Sequence, residues 1–461
     1  MSLKVNKYII LIITIFFLFK VLFFNLYKIV WWDSAVYIGI GKYIYSLGNA
    51  GLWEPIRPVI WPLLLGFLWK VGFNVIIAGR ILEIIIGSLC ILFTYLVGGK
   101  IFNEKVSVLA SILFAISPTF FFFNGVMLAE IVSTLFALIA VYLFLEEKYF
   151  LSGIIFGIAL LTRYHQLIVF VSIMLFLVFY RKNKKKGMTK ICVGFLIPVS
   201  IILVFNWILY NNPLYSFLQY VYTIRNSGWM NYQSINYYFI ELLKENIFYL
   251  MSFIGAFLIL RKKDTKKMPI LLVFFLFFIF FNLLKQKEMR FLIILLPYMY
   301  LLMSYFIFFI VKKFKIRILK KLVFLLIFIS LIFSIYGISI YYRGEMMKIN
   351  SYETLQDKFN EKHINGKIWI SNPVIPVYSP KKISKLMYYP VFDEEKKNDL
   401  IKESGDADFV FLDSCDLACK PSNTKCDKSK NELINYFRQK LNILYSSEIG
   451  DCKQYIFKKN I

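Results

Sequence analysis

The sequence predicts an α-helical polytopic membrane protein with a small α/β domain at its C-terminal end. Hydrophobic residues make up 59% of the chain and aromatic residues 19%. Many of the apolar runs are also too long and too continuous for the core of a soluble protein. After residue 342 the sequence becomes charged and much less apolar. We therefore expect a transmembrane domain over residues 1–342 and a soluble α/β domain, with disulfides, over residues 343–461.

Apolar segments of roughly 20 residues are long enough to cross the hydrocarbon as helices, and this rule gives about eleven transmembrane helices. Two of them form a short hairpin over residues 149–181, interrupted at residues 162–166. The first span is longer than the apolar region of a signal peptide and has no small-residue cleavage site before Trp31, so we expect it to be retained. The other nine spans are predicted near residues 8–28, 74–98, 106–124, 126–145, 190–210, 246–260, 268–284, 291–311 and 322–342.

The formal net charge of +26 would suggest nucleic-acid binding in a soluble protein. Here the basic residues cluster in three short loops, at residues 181–190, 261–267 and 312–321. Lys and Arg collect in this way in the cytoplasmic loops of membrane proteins. The pattern therefore predicts a multi-pass cell-membrane protein with a cytoplasmic N-terminus, an extracytoplasmic C-terminal domain and no nucleic-acid partner.

The first external loop, residues 29–73, is expected to hold two interfacial segments. Its residues Val36, Tyr37, Ile40, Tyr43 and Ile44 follow a helical period, which predicts an amphipathic helix lying at the membrane surface. Residues 48–51 end this helix. The apolar run over residues 60–69 predicts a second interfacial or re-entrant segment.

The C-terminal domain shows short strands at residues 367–370, 409–412 and 455–457, and a helix over residues 428–441. It also contains Cys415, Cys419, Cys426 and Cys452. An even number of cysteines in an external domain favours disulfides, with three pairings open. Zinc is the alternative, although no histidine is nearby and the spacing is unusual for a zinc site.

Polar residues from five segments fall on the external face of the predicted topology. Asp33 follows Trp31 and Trp32 at the end of the first span, where it serves as a base or merely caps the next helix. Lys287 and Arg290 are three residues apart, so on a helix they would share a face and could clamp one phosphate, or pair with Glu288. The remaining members of this set are Glu54, Arg57, Glu130, Arg163, Tyr164 and His165.

Several of these strings resemble motifs of the GT-C superfamily of membrane glycosyltransferases, over about residues 1–342. Asp33 resembles the acidic motif of the first external loop in that superfamily. Residues 53–58 resemble the loop that follows it. Glu130 resembles the acidic position of the second loop. Residues 286–291 resemble the His-Lys-Glu-x-Arg-Phe motif of the Alg9-like mannosyltransferases, with Gln286 in place of the histidine. Protein O-mannosyltransferases and the bacterial aminoarabinose transferases of lipid A share the general layout.

The resemblance implies an inverting glycosyltransferase. Its donor would be a sugar linked to polyprenyl (dolichyl) phosphate, with mannose as one candidate sugar. The acceptor would be a lipid-linked glycan, a glycolipid or a protein at the outer membrane face. Ser34 stands where many relatives have Glu, which leaves a divalent-metal requirement open; no other cofactor is expected. The resemblance implies three catalytic residues, Asp33, Glu130 and Glu54. The residues implied to bind the donor phosphate are Arg290, Lys287, Arg163 and Arg57. The residues implied to bind substrate are Tyr37, Trp53, His165 and Glu288.

Two other classes of function fit the composition. A transporter or lipid-linked oligosaccharide flippase would also be polytopic, but such proteins tend to have internal repeats and broken helices at mid-membrane. A glycan polymerase or ligase would share the substrates but not the Asp33 loop. Because the polar residues gather at one membrane face, we favour the transferase.

Overall fold

The computed structural model describes residues 6–180, 184–313, 317–387, 392–421 and 423–459. Three basic residues of the predicted cytoplasmic loops lie outside the described residues: Arg181, Lys182 and Lys315. The chain divides into two compact units. One, the helical unit, comprises Met1–Tyr27, Gly79–Pro213 and Gln233–Met347. The other, the mixed unit, comprises Lys28–Ala78, Leu214–Tyr232 and Lys348–Ile461.

Every predicted span corresponds to helix in the structure. The span at 106–124 is divided in two at Pro118, because a proline lacks an N–H and is tolerated only in the first turn of a helix. The helices that lie mainly in the helical unit are α1 (Lys7–Leu22), α4 (Val75–Ile101), α5 (Glu104–Ala115), α6 (Pro118–Phe123), α7 (Ala129–Leu145), α8 (Tyr149–Thr162), α9 (Leu167–Tyr180), α10 (Lys184–Tyr210), α12 (Tyr237–Glu245), α13 (Leu250–Lys262), α14 (Met268–Leu283), α15 (Leu296–Lys313) and α16 (Arg317–Met346).

Within the described residues, five helices are long and apolar enough to cross a membrane unaided. They lie within Val75–Ile101, Lys185–Tyr210, Thr265–Leu283, Leu296–Lys313 and Leu325–Met346. Ala129–Leu145, Tyr149–Thr162 and Tyr164–Tyr180 are apolar but shorter. The predicted total of about eleven therefore includes helices that fall below the length for an independent crossing.

The mixed unit is built on a five-stranded sheet in the order β2-β1-β3-β5-β4. Strands β2, β1 and β3 run parallel to one another, and β5 pairs antiparallel with both β3 and β4. The predicted strands at 367–370, 409–412 and 455–457 and the helix at 428–441 are confirmed. The elements are α2 (Trp32–Tyr45), α3 (Ile60–Lys70), α11 (Tyr215–Ser227), α17 (Glu353–Asn360), β1 (Ile368–Ile370), β2 (Lys385–Leu386), α18 (Glu394–Glu403), β3 (Phe409–Asp413), α19 (Thr424–Lys440), β4 (Leu441–Ile449) and β5 (Cys452–Lys459).

Both faces of this sheet are covered, so its central strand β3 is buried along its whole length. Phe409 and Phe411 of β3 join a core cluster that includes residues of α2 and α17. Val410 and Leu412 point the other way, into a cluster with residues of α18 and α19. Alternate side chains of a strand face opposite sides of a sheet, which explains why the run is continuously apolar.

Helix α2 forms where the sequence predicts it, and it packs against protein. Residues 34–42 are all buried, and Val36 and Ile40 belong to the core beneath the sheet. Lys42 is buried as well, and its Nζ donates to the carbonyl oxygens of Val377 (2.6 Å) and Ser379 (3.0 Å). An amphipathic pattern requires an apolar partner, and here that partner is protein.

Residues 29–73 consequently belong to the same unit as the C-terminal residues. Gly51 pairs in a parallel bridge with Lys382. Helices α2 and α3 cross so closely that a Cβ at Gly41 would lie 2.5 Å from the carbonyl oxygen of Pro62. Glycine at this position therefore allows the two helices to pack directly.

The four cysteines of the C-terminal region form two disulfides, Cys415–Cys452 and Cys419–Cys426. The first joins the residues after β3 to the start of β5, and the second closes the segment that leads into α19. This selects one of the three pairings left open by the sequence. It also rules out the zinc alternative, because no free thiolate remains among these four residues.

Candidate functional site

Asp33 lies in the first turn of α2, inside the helix rather than at its cap, since the N-cap residue is Trp31. The capping role considered for Asp33 is therefore wrong. A carboxylate in the first turn is favoured by the partial positive charge of the helix N-terminus. Its Oδ1 lies 2.8 Å from Nη2 of Arg57, and 18% of its side chain is exposed. Asp33 is thus a partly accessible carboxylate that forms an ion pair with Arg57.

Arg57 also binds Glu54, with Nε 3.0 Å from Oε2. A single guanidinium therefore bridges two carboxylates, as its planar set of donors allows. The guanidinium carbon of Arg57 also lies over the ring of Tyr37, 5.7 Å from the ring centroid. Trp53, next to Glu54, packs against Tyr43 with ring centroids 5.6 Å apart.

Glu54 is buried, and its Oε1 has no hydrogen-bond partner among the described residues. Burial raises the pKa of this carboxyl group, and the neighbouring Arg57 opposes that rise. A buried polar atom without a partner costs free energy in the folded state, so it suggests a bound group.

The space between Asp33 and Glu54 is taken by the guanidinium of Arg57, and the two carboxylates therefore do not form an open pair for a divalent cation. Elsewhere in the described residues, one group has the geometry of a metal site: Asp413 with Cys415 and Cys452. These two cysteines form a disulfide and offer no thiolate. We therefore derive no step through a metal.

A second cluster lies in the helical unit and centres on Glu130, in the first turn of α7. Its side chain is 1% exposed, and Oε1 lies 2.9 Å from Nη1 of Arg163 and 3.7 Å from Nε of Arg290. Nε of Arg290 also lies 2.7 Å from Oε2 of Glu288. Both guanidinium carbons are near the ring of Phe291, at 5.0 Å and 5.4 Å from its centroid. Two arginines are thereby held side by side.

Glu83 of α4, which sequence reasoning did not place in the site, shapes the loop before Glu130. Its carboxylate accepts hydrogen bonds from the backbone N–H groups of Gly125 (2.7 Å), Met127 (2.6 Å) and Leu128 (2.9 Å). Met127 has a positive φ of 65°, which is unusual for a residue with a side chain. The signal in the sequence was an acidic residue inside a long apolar helix, since such residues have specific partners.

Lys287 has hydrogen-bond partners other than the carboxylates that bind the two arginines. Residues 284–288 are not helical, so Lys287 and Arg290 do not share the helix face that their spacing suggested. Nζ of Lys287 donates to the backbone oxygens of Gln233 (3.1 Å) and Leu284. In the structure this side chain anchors the loop that leads to Glu288 and Arg290.

His165 packs in an aromatic cluster with Phe280, Phe281 and Phe291, at centroid distances of 5.5, 5.7 and 6.2 Å. It is buried, and it follows Arg163 in the short turn between α8 and α9. The next residue, Gln166, donates to Ser133 of α7 at 3.0 Å. These contacts fix the turn that carries Arg163.

The predicted site residues thus form two clusters, each within one unit. Asp33, Glu54 and Arg57, with Tyr37 and Trp53, belong to the mixed unit. Glu130, Arg163, Glu288 and Arg290, with His165 and Lys287, belong to the helical unit. The first supplies carboxylates and aromatic rings, which suit an acceptor with hydroxyl groups. The second supplies paired guanidinium groups, which suit a phosphate.

Residues 56–208 match the family model described as dolichyl-phosphate-mannose-protein mannosyltransferase. No curated protein sequence matches the chain. This family match begins in the first external loop and includes Arg57, Glu130 and Arg163.

Solved structures extend the similarity over nearly the whole chain. The structure of ArnT from Cupriavidus metallidurans bound to undecaprenyl phosphate is similar, with a TM-score of 0.65, 10% identity and 97% of each chain covered. The oligosaccharyltransferase of Archaeoglobus fulgidus tethered with an acceptor peptide has a TM-score of 0.62 and 13% identity, covering 99% of this chain and 74% of its own. AglB from the same organism, in complex with an inhibitory peptide and a dolichol-phosphate, has a TM-score of 0.59 and 12% identity. The match covers 97% of this chain and 74% of AglB.

At these identities the solved structures establish the fold, and none of the comparisons points to the Alg9-like subfamily, which stays a prediction. The fold class predicted from the sequence is confirmed. Residues 56–208 thus match the family model, and nearly the whole chain shares the fold of these solved structures.

Proposed function

We propose that the protein is an inverting glycosyltransferase that moves a sugar from a polyprenyl-phosphate donor to a hydroxyl-bearing acceptor at the outer membrane face. The observation that carries the proposal is the pair of arginines, Arg163 and Arg290, held beside one buried carboxylate, Glu130. Two adjacent guanidinium groups on a rigid support are well suited to hold a phosphate through several charge-assisted hydrogen bonds.

The reaction joins the acceptor oxygen to the anomeric carbon and breaks the bond between that carbon and the phosphate oxygen. The acceptor proton goes to a base, and polyprenyl phosphate leaves with one more negative charge than it carried in the donor. Cations already in place where this charge develops lower the barrier. Arg163 and Arg290 take this role, with Glu288 orienting Arg290 through its 2.7 Å ion pair.

Asp33 is the base in this proposal. A neutral hydroxyl is a weak nucleophile and needs a carboxylate or similar group to accept its proton. Asp33 is partly exposed and lies at the N-terminal end of a buried helix, which fixes its position. Arg57 holds the Asp33 side chain, and Glu54 holds Arg57 from the other side.

The finer identity of the substrates also belongs to this proposal. The description of the matched family names dolichyl-phosphate-mannose, and one similar structure contains undecaprenyl phosphate. We propose a hexose donor, with mannose to be tested first, and a lipid-linked glycan, glycolipid or protein as acceptor. The positive-inside pattern supports a cytoplasmic N-terminus and an extracytoplasmic mixed unit in the cell membrane.

The test is transfer by the purified protein from a radiolabelled polyprenyl-phosphate mannose to a crude lipid fraction. Asp33→Asn should reduce transfer by about 10²- to 10⁴-fold, the usual contribution of a general base, with donor binding retained. Arg290→Gln should instead weaken donor binding. Asp357→Asn, at an exposed site on α17, is the matched control for the acidic substitution. No transfer by the wild type with any of several donor sugars, or full activity of Asp33→Asn, would refute the proposal.

A further inference from the structure

The mixed unit contains a cleft of ≈ 750 Å³, which is lined in part by Trp53 and Glu54 of the first cluster. Its described walls come from residues 43–56, from helix α11, and from residues 382–386 and 393–399. Clefts of about 300–1,000 Å³ are typical of sites for small molecules. Residues that line it include Tyr43, Trp53, Glu54, Tyr222, Lys382 and Asp399.

Glu54 connects this cleft to the proposed base. Its residue surface is 7% exposed, it lines the cleft, and its Oε1 has no hydrogen-bond partner among the described residues. Its other oxygen, Oε2, lies 3.0 Å from Arg57, which in turn lies 2.8 Å from Asp33. A ligand hydroxyl in the cleft could satisfy Oε1 while it approaches the side of the site where the base lies.

The lining chemistry suits a sugar better than a phosphate group. Trp53, Tyr43 and Tyr222 provide flat apolar faces, and the side chain of Tyr222 is 53% exposed. The charged residues are four carboxylates and three lysines, so the cleft has no excess of positive charge for an anion. They are Glu54, Asp393, Glu395 and Asp399, and Lys382, Lys385 and Lys396. Aromatic faces cover the apolar face of a sugar ring, and carboxylates accept from its hydroxyl groups.

We propose that this cleft binds the saccharide portion of a glycan acceptor, and that Glu54 positions the accepting hydroxyl for Asp33. This inference rests on the proposed function. It narrows the acceptor classes proposed there, a lipid-linked glycan, a glycolipid or a protein, to acceptors that carry a glycan. Glu54 is a positioning residue here. It receives a hydrogen bond from the acceptor, and the proton lost in transfer goes to Asp33.

The experiment measures saccharide binding directly, without donor, by saturation-transfer NMR on the full-length protein in a detergent that contains no sugar. The probes are mannotriose, maltotriose and chitotriose. Tyr222→Ala and Asp399→Asn remove an aromatic face and a carboxylate at accessible positions, so neither is expected to disturb folding. Each should weaken the affinity for the preferred trisaccharide at least about fivefold.

Two controls match these substitutions within the same unit. Tyr232→Ala removes a tyrosine that is 63% exposed and does not line the cleft, and Asp357→Asn removes an exposed carboxylate on α17. Both should bind like the wild type. Glu54→Gln should raise the KM for the acceptor in the transfer assay and leave the KM for the donor unchanged.

The results separate this inference from the proposed function. If the wild type binds a trisaccharide through the cleft but transfers no sugar, the saccharide site stands and the transferase proposal fails. If the wild type transfers sugar but binds none of the three trisaccharides, or if the cleft variants bind as well as the controls, the inference is overturned. Binding of a Ser/Thr-rich peptide in the cleft in place of a trisaccharide would also overturn it.

Discussion

Arg57 forms an ion pair with Asp33, with Nη2 2.8 Å from Oδ1, and the same guanidinium contacts Glu54 at 3.0 Å. The proposed base is therefore positioned by a cation that is itself positioned by a buried acid. A lysine has a single charged nitrogen and could satisfy one of these carboxylates but not bridge both in the same plane. The geometry makes the identity of residue 57 important.

Replacing Arg57 tests this bridge. Arg57→Ala should lower kcat for transfer by about 10²-fold, because Asp33 and Glu54 lose their common partner and the base is no longer oriented. Added methylguanidine should restore part of the activity by occupying the vacated position. Arg57→Lys should be only partly active. Full activity of Arg57→Lys, or no response to methylguanidine, would contradict a bridging role.

Glu130→Gln tests the arginine cluster. Removing one partner of a buried ion pair typically costs about 3–5 kcal/mol, because the remaining charges are left uncompensated. The variant should therefore unfold at a lower temperature than the wild type. Added polyprenyl phosphate should raise this temperature more in the variant than in the wild type, because the phosphate no longer competes with Glu130 for Arg163 and Arg290.

The control for Glu130 is Glu241→Gln, which removes an exposed ion pair with Lys244. Such pairs contribute less than about 1 kcal/mol, so this variant should melt like the wild type. An equal response of Glu130→Gln and wild type to polyprenyl phosphate would argue against a phosphate site at these arginines.

The stability of the mixed unit should depend on the protonation of Asp416. This buried carboxyl group accepts hydrogen bonds from Tyr352 (2.8 Å), Asn372 (2.8 Å) and Ser371 (2.5 Å). Burial, assisted by the nearby Asp413, raises the pKa of Asp416 from 3.8 to about 7. Between these two values the folded state binds more protons than the unfolded state. Stability from this group is therefore present at about pH 4 and is lost as the pH rises through 7.

Thermal unfolding followed by a label on the mixed unit should accordingly show a decrease of melting temperature from pH 5 to pH 8. Asp416→Asn should flatten this dependence, because the amide does not titrate. Asp357→Asn, at an exposed position, should leave the slope as in the wild type. An unchanged slope in Asp416→Asn would exclude Asp416 as its source.

The two disulfides should differ in their contribution to stability. Cys415–Cys452 closes a segment with a sequence separation of 37, and Cys419–Cys426 one with a separation of 7. By the chain-entropy model, replacing the first pair by serine should cost about 4 kcal/mol and the second about 2 kcal/mol. Denaturant unfolding of the two double variants measures both values. A larger loss from the shorter loop would contradict the model for this domain.

The sequence predicted much of the helical unit because its spans are long apolar runs, which have few structural alternatives. In the mixed unit it located β1, β3, β5 and α19, each of which buries a regular apolar pattern. Strand β2 has two residues, and β4 lies at an edge and is largely exposed, so neither leaves a clear pattern. Such elements depend on their neighbours for pairing.

Within the candidate site, residue types were easier to predict than partners. The i, i+3 spacing of Lys287 and Arg290 implies a common face only if the whole segment is helical. Residues 284–288 are not helical, and a short 3-10 helix begins only at Met289. The pattern of α2 indicated an apolar environment without distinguishing lipid from protein. The bridging role of Arg57 depends on the distance between two loop residues and α2, which no local pattern encodes.

The packing of α2 against the sheet has a consequence for synthesis of the protein. Val36 and Ile40 leave the ribosome hundreds of residues before β3, which forms part of the same core. Contacts between such distant parts of a chain form late in folding. The helix that carries Asp33 therefore completes its environment only after the last strands have been synthesised. A chain truncated before β1 should insert its spans and still leave α2 without its core partners.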